Sequence, residues 1–282
     1  MLKVHQGPQK LGALSRAPAP ARSYGFTLVE LMVGILVATL VIAAIAALYI
    51  TVIRGAIFVT QEARLTQETR VAMDMMINDI RRAGYSHTSR VQQNADELPD
   101  NPFMRADDTP IRDMSIHGGD CILVAYDPTF TYPADDDLPY DLTDLQGDNR
   151  QYVFGYRLES GAIQILNAPR DQTSSGVCDE SSGWESITDP DTTSIIRLRF
   201  STAGSICMNA STADGDYSEI TSTASTAPAC ATPPSDTEAG DVLVEMRRIN
   251  ILLEAEHAQD STTRTFLNES AKARNHRVIW AP

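Results

Sequence analysis

The stretch Gly25-Phe26-Thr27-Leu28-Val29-Glu30, followed from Leu31 to Ile53 by LMVGILVATLVIAAIAALYITVI, decides how this chain is read. Between Phe26 and Ile53 the only charged side chain is Glu30. As a helix the run is long enough to cross a hydrocarbon core of about 30 Å. A carboxylate at the centre of such a core costs about 2.5–3.5 kcal/mol, and less near its edge. A charge in this position needs a partner, because two paired charges tolerate a low dielectric that one alone does not.

The 282 residues are enough for one large or two modest domains, and 43% hydrophobic content allows a real core. The net charge of −14 is unevenly spread. Lys3, Lys10, Arg16 and Arg22 precede Gly25 with no acid among them, so everything after the leader is more acidic than the total suggests. An acidic body argues against nucleic-acid binding, which leans on basic patches. It suits a solvated, exported face. Positive residues flanking a first membrane segment stay in the cytoplasm, so the bulk after Ile53 is expected outside. The small-residue run from Ala17 to Ala21 lies before the apolar segment, whereas a secretory signal is cut after it. The apolar segment is therefore expected to stay with the mature protein.

Gly25-Phe26-Thr27-Leu28-Val29-Glu30, with a basic leader before it and an uninterrupted apolar helix behind it, resembles the type IV prepilin signal. The resemblance implies cleavage between Gly25 and Phe26 by a prepilin peptidase and methylation of the new N-terminus at Phe26. It also implies a role for Glu30 in subunit assembly, neutralising the α-amine of a neighbouring Phe26. The helix should run on beyond the membrane. Phe58, Leu65, Ala72, Met76, Ile80 and Ala83 form one stripe, widened by Met73 and Ile77. Arg81 and Arg82 suit a last turn and Gly84 a C-cap. From Phe26 to Gly84 such a helix would be about 88 Å long.

Its end narrows the likeness. Asn78-Asp-Ile-Arg-Arg-Ala-Gly-Tyr85 resembles the run found at this place in PilW-type minor pilins. Val242–Leu253, Thr263–Phe266 and Ala273-Arg274-Asn275 are similar to the late strands and terminal Arg-Asn of that group. J-type pseudopilins of type II secretion share the architecture with less of this sequence. What the resemblance implies is an α+β, type IV pilin-like fold, with a long N-terminal helix and an antiparallel β-sheet head. The expected divisions are a leader at 1–25, a membrane or filament-core helix at 26–53, its amphipathic continuation at 54–84, and a periplasmic head at 85–282. The implied function is that of a minor pilin in the tip or priming complex of a type IV pilus. The alternatives are a minor pseudopilin and, from another class, a membrane-anchored periplasmic enzyme. Implied partners are other minor and major pilins, the prepilin peptidase, the inner-membrane assembly machinery and a tip adhesin.

Within the head, Cys121–Tyr126 reads as a buried strand. Gln151–Leu158 and Ala162–Leu166 flank a Glu-Ser-Gly hairpin signal. Ser194–Phe200 and Leu243–Leu253 alternate as strands. Segments 86–118, 127–149, 168–192 and 209–240 read as loops, the last as a Ser/Thr/Ala/Pro-rich insertion. Cys121, Cys178, Cys207 and Cys230 are an even count on the exported side, so two disulfides are expected. Three connectivities exist; Cys207–Cys230 is favoured because it clamps the insertion, which leaves Cys121–Cys178. No catalytic constellation stands out: His117-Gly-Gly-Asp-Cys121 lacks a supporting nucleophile motif, so an enzyme is not expected. No cofactor is expected either. The weak calcium candidates are Asp135, Asp136 and Asp137, with Asp141, Asp144 and Asp148 beside them, and Asp214, Asp216 and Glu219. Neither group has the spacing of a calcium loop.

Overall fold

The computed structural model describes residues 25–86, 101, 103, 113–128, 151–170, 173–211 and 217–281. Helix α1 runs from Leu28 to Arg82, 55 residues without a proline. The chain divides into two compact units, with the boundary inside this helix after Ala56. In the first unit the large apolar side chains are exposed, among them Leu31, Ile35, Leu40, Ile45 and Ile50. The most apolar window has a mean hydropathy of 2.8. Among the described residues nothing buries this surface, which is how a helix reads when lipid or other helices are its solvent.

In the second unit α1 turns amphipathic. Leu65, Thr69, Ala72, Met73, Met76 and Ile80 are buried. Fully burying side chains such as Leu65, Met76 and Ile80 is worth about 1.5–3 kcal/mol each. Phe58, which the spacing puts in the stripe, is exposed; the first buried position on the helix is Leu65. Thr69 is the polar member of the buried face, and its hydroxyl donates back to the Leu65 carbonyl at 2.7 Å. That internal bond lets a hydroxyl sit in the core without an outside partner.

The head carries twelve described strands in three antiparallel sheets. The first contains β1 (Met114–His117), β2 (Cys121–Ala125), β3 (Val153–Glu159), β4 (Ala162–Leu166) and β5 (Trp184–Ser186), in sequence order. Every residue of β2 is buried. Ile122 and Val124 face α1, while Cys121, Leu123 and Ala125 face a second core with Phe103, Tyr152, Leu166 and Val177. A strand covered on both faces must be continuously apolar, and this one is. The β3–β4 hairpin turns on Ser160 and Gly161, both at positive φ, a two-residue turn whose twist matches its strands.

The second sheet has the order β11-β10-β6, from β6 (Thr193–Ser201), β10 (Arg248–His257) and β11 (Asp260–Lys272). Ile249, Ile251, Leu253 and Ala255 on β10 join the α1 core. The third sheet is β12-β9-β7-β8, from β7 (Ile206–Asn209), β8 (Ser218–Thr221), β9 (Val242–Met246) and β12 (Arg277–Trp280). The single strand read over Leu243–Leu253 is in fact two, β9 and β10, broken at Arg247. The partner strand bends at the same level, from β6 to β7. Ser205 pins the bend: its hydroxyl donates to the Arg248 carbonyl at 3.0 Å and accepts from the Arg248 amide at 2.9 Å.

Several segments read as loops hold short elements. They are β1 within 86–118, α2 (Ser175–Asp179) and β5 within 168–192, and β8 with a 3-10 turn at Ala229–Ala231 within 209–240. All are too short to show a period. Of the segment 127–149, only Asp127 and Pro128 are among the described residues.

Candidate functional site

At the start of α1, Thr27 precedes the first helical turn. Its hydroxyl accepts from the Glu30 amide at 3.2 Å, while Glu30 Oε2 accepts from the Thr27 amide and hydroxyl, both at 3.0 Å. This is a reciprocal capping box, which satisfies two of the helix's orphan donors. The Thr-x-x-Glu spacing was the signal for it, and the sequence reading gave Thr27 no role. Gly25 is open on all sides, and Phe26 is 88% exposed. The three prepilin-signal residues thus sit at an accessible helix start, Glu30 engaged with Thr27 of its own chain.

The other end of α1 is a joint with the head. Asp79 accepts from the Tyr126 hydroxyl at 2.9 Å and from the Tyr156 hydroxyl at 2.5 Å. Burial, and then the Asp79 charge, push both phenols above their ordinary pKa, so they remain donors. The Tyr126 ring stacks on Phe154 at 4.4 Å, and the Arg82 guanidinium lies 5.8 Å from the Tyr126 ring centroid. Ala83 has no exposed surface, so that position has no room for a larger side chain. Gly84 stands at φ 75°, where only glycine is unstrained. Its amide leaves the helix and donates to the Ala125 carbonyl at 2.8 Å. The Tyr85 carbonyl then accepts from the Asp127 amide at 2.9 Å, continuing the contact along the end of β2.

The last carbonyls of α1 are met from the far end of the head. The Arg274 amide donates to Arg81 at 3.1 Å, and the Asn275 side chain to Ala83 at 3.1 Å and Arg82 at 3.4 Å. Asn101 donates to the Gly84 carbonyl at 2.9 Å. The Asn275 carbonyl in turn accepts from Arg247, whose buried guanidinium pairs with Asp113. Burial and the neighbouring Arg277 push Arg247 down to about 9, still a cation at neutral pH. Glu245, also buried, pairs with Arg277 at 3.7 Å and accepts from the Ala229 and Cys230 amides. Neither this buried charge network nor Asp79's pairing with tyrosines was legible from spacing, because the partners lie far apart in sequence.

The four cysteines form Cys121–Cys178 and Cys207–Cys230. The first lies against the second core and the second ties β7 to the 3-10 turn. Cys121 is therefore no thiol, and His117 Nε2 lies 2.9 Å from Ser115 Oγ and 3.0 Å from the Thr173 carbonyl. Among the described residues no three His, Cys, Asp or Glu side chains are grouped to hold a metal. Glu219 is exposed on β8; Asp135, Asp136, Asp137, Asp141, Asp144, Asp148, Asp214 and Asp216 lie outside the described residues.

Two family signatures match. The prokaryotic N-terminal methylation motif covers residues 20–46, which include Gly25, Phe26 and Glu30. The signature of prepilin peptidase-dependent protein B covers residues 59–273, most of the chain. The chain belongs to the prepilin peptidase-dependent protein B family. With the methylation motif, membership makes it a pilin-like protein of the pilus or pseudopilus type, handled by prepilin peptidase and anchored by α1. No curated protein and no solved structure gives a match.

Proposed function

We propose that this family member is a minor pilin of the PilW kind, a structural subunit rather than an enzyme, which enters the tip complex that primes a type IV pilus. It waits in the inner membrane with its leader cytoplasmic and its head periplasmic. Cleavage after Gly25 frees the Phe26 amine for methylation, and Glu30 of a neighbour neutralises that amine as helices pack. Its partners are then other minor and major pilins and the assembly machinery. One observation supports the reading. Two of the stretches behind the PilW likeness, Asp79–Tyr85 and Arg274-Asn275, meet in a single joint that fixes the end of α1 on the head.

The test is Glu30→Val in the native host. An apolar helix remains, so insertion and processing at Phe26 should survive, while the neighbouring amine faces hydrocarbon unpaired. Removing one member of a buried pair costs about 3–5 kcal/mol, a loss of more than about a hundredfold in incorporation. Expected are processed subunits retained in the inner membrane, few or no pili, and lost copurification of the other minor subunits. Wild-type pilus counts and copurification would refute the reading.

A further inference from the structure

We propose that the free edge of β11 and the α1 flank beside it form a docking groove for an extended segment, acidic at one end, of a neighbouring pilin-like subunit. The inference rests on the assembly reading above and names the surface and chemistry of one contact. Among the described residues β11 is the longest strand, 13 residues, and β10 is its only partner. Among the described residues no backbone bond joins the opposite edge of Asp260–Lys272 to another element. Natural edge strands are blunted by shortness, proline, bulges or charged side chains. β11 has no proline and its one register shift lies at the His257 end of the ladder, so its main-chain edge is open beyond Arg264, and the charges there, Glu269 and Lys272, select what can pair.

Beside this edge is a groove of about 460 Å³ between α1 and β11. Ile77 and Leu267 supply its exposed apolar surface above the buried Met73, and Arg70 and Arg81 mark its limits along the helix. Arg81 lies eleven positions on from Arg70, a rise of about 16 Å, the length of roughly five residues of strand. An added strand would thus complete main-chain pairing with β11 and lay apolar side chains over Ile77 and Leu267, the strand-addition mode of recognition.

Charge fixes the occupant. At the Arg81 end the Arg274 amide bonds the Arg81 carbonyl, and Lys272 closes β11 opposite Arg248. The Arg81, Lys272 and Arg274 side chains are exposed and in no ion pair among the described residues, within a chain of net charge −14. Asp74, about 10 Å back along α1 from Arg81, and Glu269, three residues before Lys272, also line the groove. The docked strand therefore carries its acids at the Arg81 end and an apolar residue over Ile77. A second copy paired β11 to β11 does not fit. Antiparallel pairing of two β11 edges about a two-fold axis normal to the sheet also reverses the α1 segments lying on it. Two chains inserted the same way round in one membrane do not meet so.

The test places p-benzoylphenylalanine at Glu269, and separately at Asn268, of the full chain in its native host, with irradiation and peptide mapping of the adducts. Expected is a cross-link to an extended, acidic segment of another chain that bears a prepilin-type N-terminus. Arg81→Glu with Lys272→Glu should lower the yield at least tenfold while both disulfides and processing at Phe26 are kept. Adducts to a second copy, to lipid or to a helical or basic segment overturn the proposal. So does no adduct, or an unchanged yield in the charge-reversed protein. If Glu30→Val abolishes pili yet no adduct forms, the groove is wrong and the pilin reading stands. If the chain is not processed at Phe26, both fall.

Discussion

Asp79→Leu is the most informative single change, because it removes the one acceptor shared by two buried phenols. Tyr156 is 1% exposed and Tyr126 3%. Neither hydroxyl has another acceptor within hydrogen-bond reach among the described residues. A buried donor left without an acceptor costs about 1–3 kcal/mol, and bonds to a charged group lie toward the upper part of that range. Two such losses put the penalty at about 4 kcal/mol, slightly offset by the leucine's own burial. For a chain with a folded head of this size, 1 kcal/mol moves Tm by about 2–4 °C, so the midpoint should fall by about 8–16 °C. Asp79→Asn keeps a carbonyl acceptor and should fall about half as far. The assay is thermal or urea unfolding of the full chain in detergent, read by tyrosine fluorescence. The stronger check is a sign change. Tyr156→Phe destabilises the wild type, but in the Asp79→Leu background it removes an orphaned hydroxyl and should be neutral or stabilising. If Asp79→Leu unfolds like wild type, or Tyr156→Phe costs the same in both backgrounds, the joint is not held as described.

The raised phenol pKa values give a pH signature. Tyr126 and Tyr156 are pushed up by burial and then by Asp79, so the folded state keeps protons that the unfolded state releases from about pH 10 upward. That stability is present below the unfolded value and lost as pH rises above it. Urea midpoints measured between pH 8 and 11 should fall, and Tyr126→Phe with Tyr156→Phe should flatten the fall; an equal slope in the double variant refutes the assignment. The disulfides should differ in weight. Cys121–Cys178 spans 57 positions and Cys207–Cys230 spans 23, so the chain-entropy model gives about 4 and about 3.5 kcal/mol. Pairwise Cys→Ser replacement followed by urea unfolding should show the larger loss for Cys121 and Cys178, which also border the second core. A larger loss for the Cys207–Cys230 pair would count against that ordering.

The parts of this molecule governed by a repeating pattern could be read directly. The apolar run, the stripe from Leu65 to Ala83, the all-apolar β2 and the Ser160-Gly161 hairpin each follow from a period or from turn chemistry. Phe58 was misplaced because a stripe shows which face is apolar but not where the covering head begins. The break at Arg247 was hidden because Val242–Leu253 alternates on both sides of it, and only a buried partner, Asp113, makes a charge tolerable there. The role of Asp79 was equally invisible: Tyr126 and Tyr156 are 47 and 77 residues away. Thr27 was the exception, since its three-residue spacing to Glu30 is local.

The cap on α1 also sets a schedule. The carbonyls of Arg82 and Ala83 are met by Asn275, separated from them by 193 and 192 residues. A chain emerging from its N-terminus makes the helix first, yet the last turn stays open until residues 274 and 275 have been delivered. Contacts of such long separation are slow to form, because the loop they close must be ordered before they contribute. The head therefore has no finished intermediate in which the helix end is settled and the sheets are not. A chain held by its apolar segment stays uncommitted until its last residues arrive, and becomes a rigid unit only at the close.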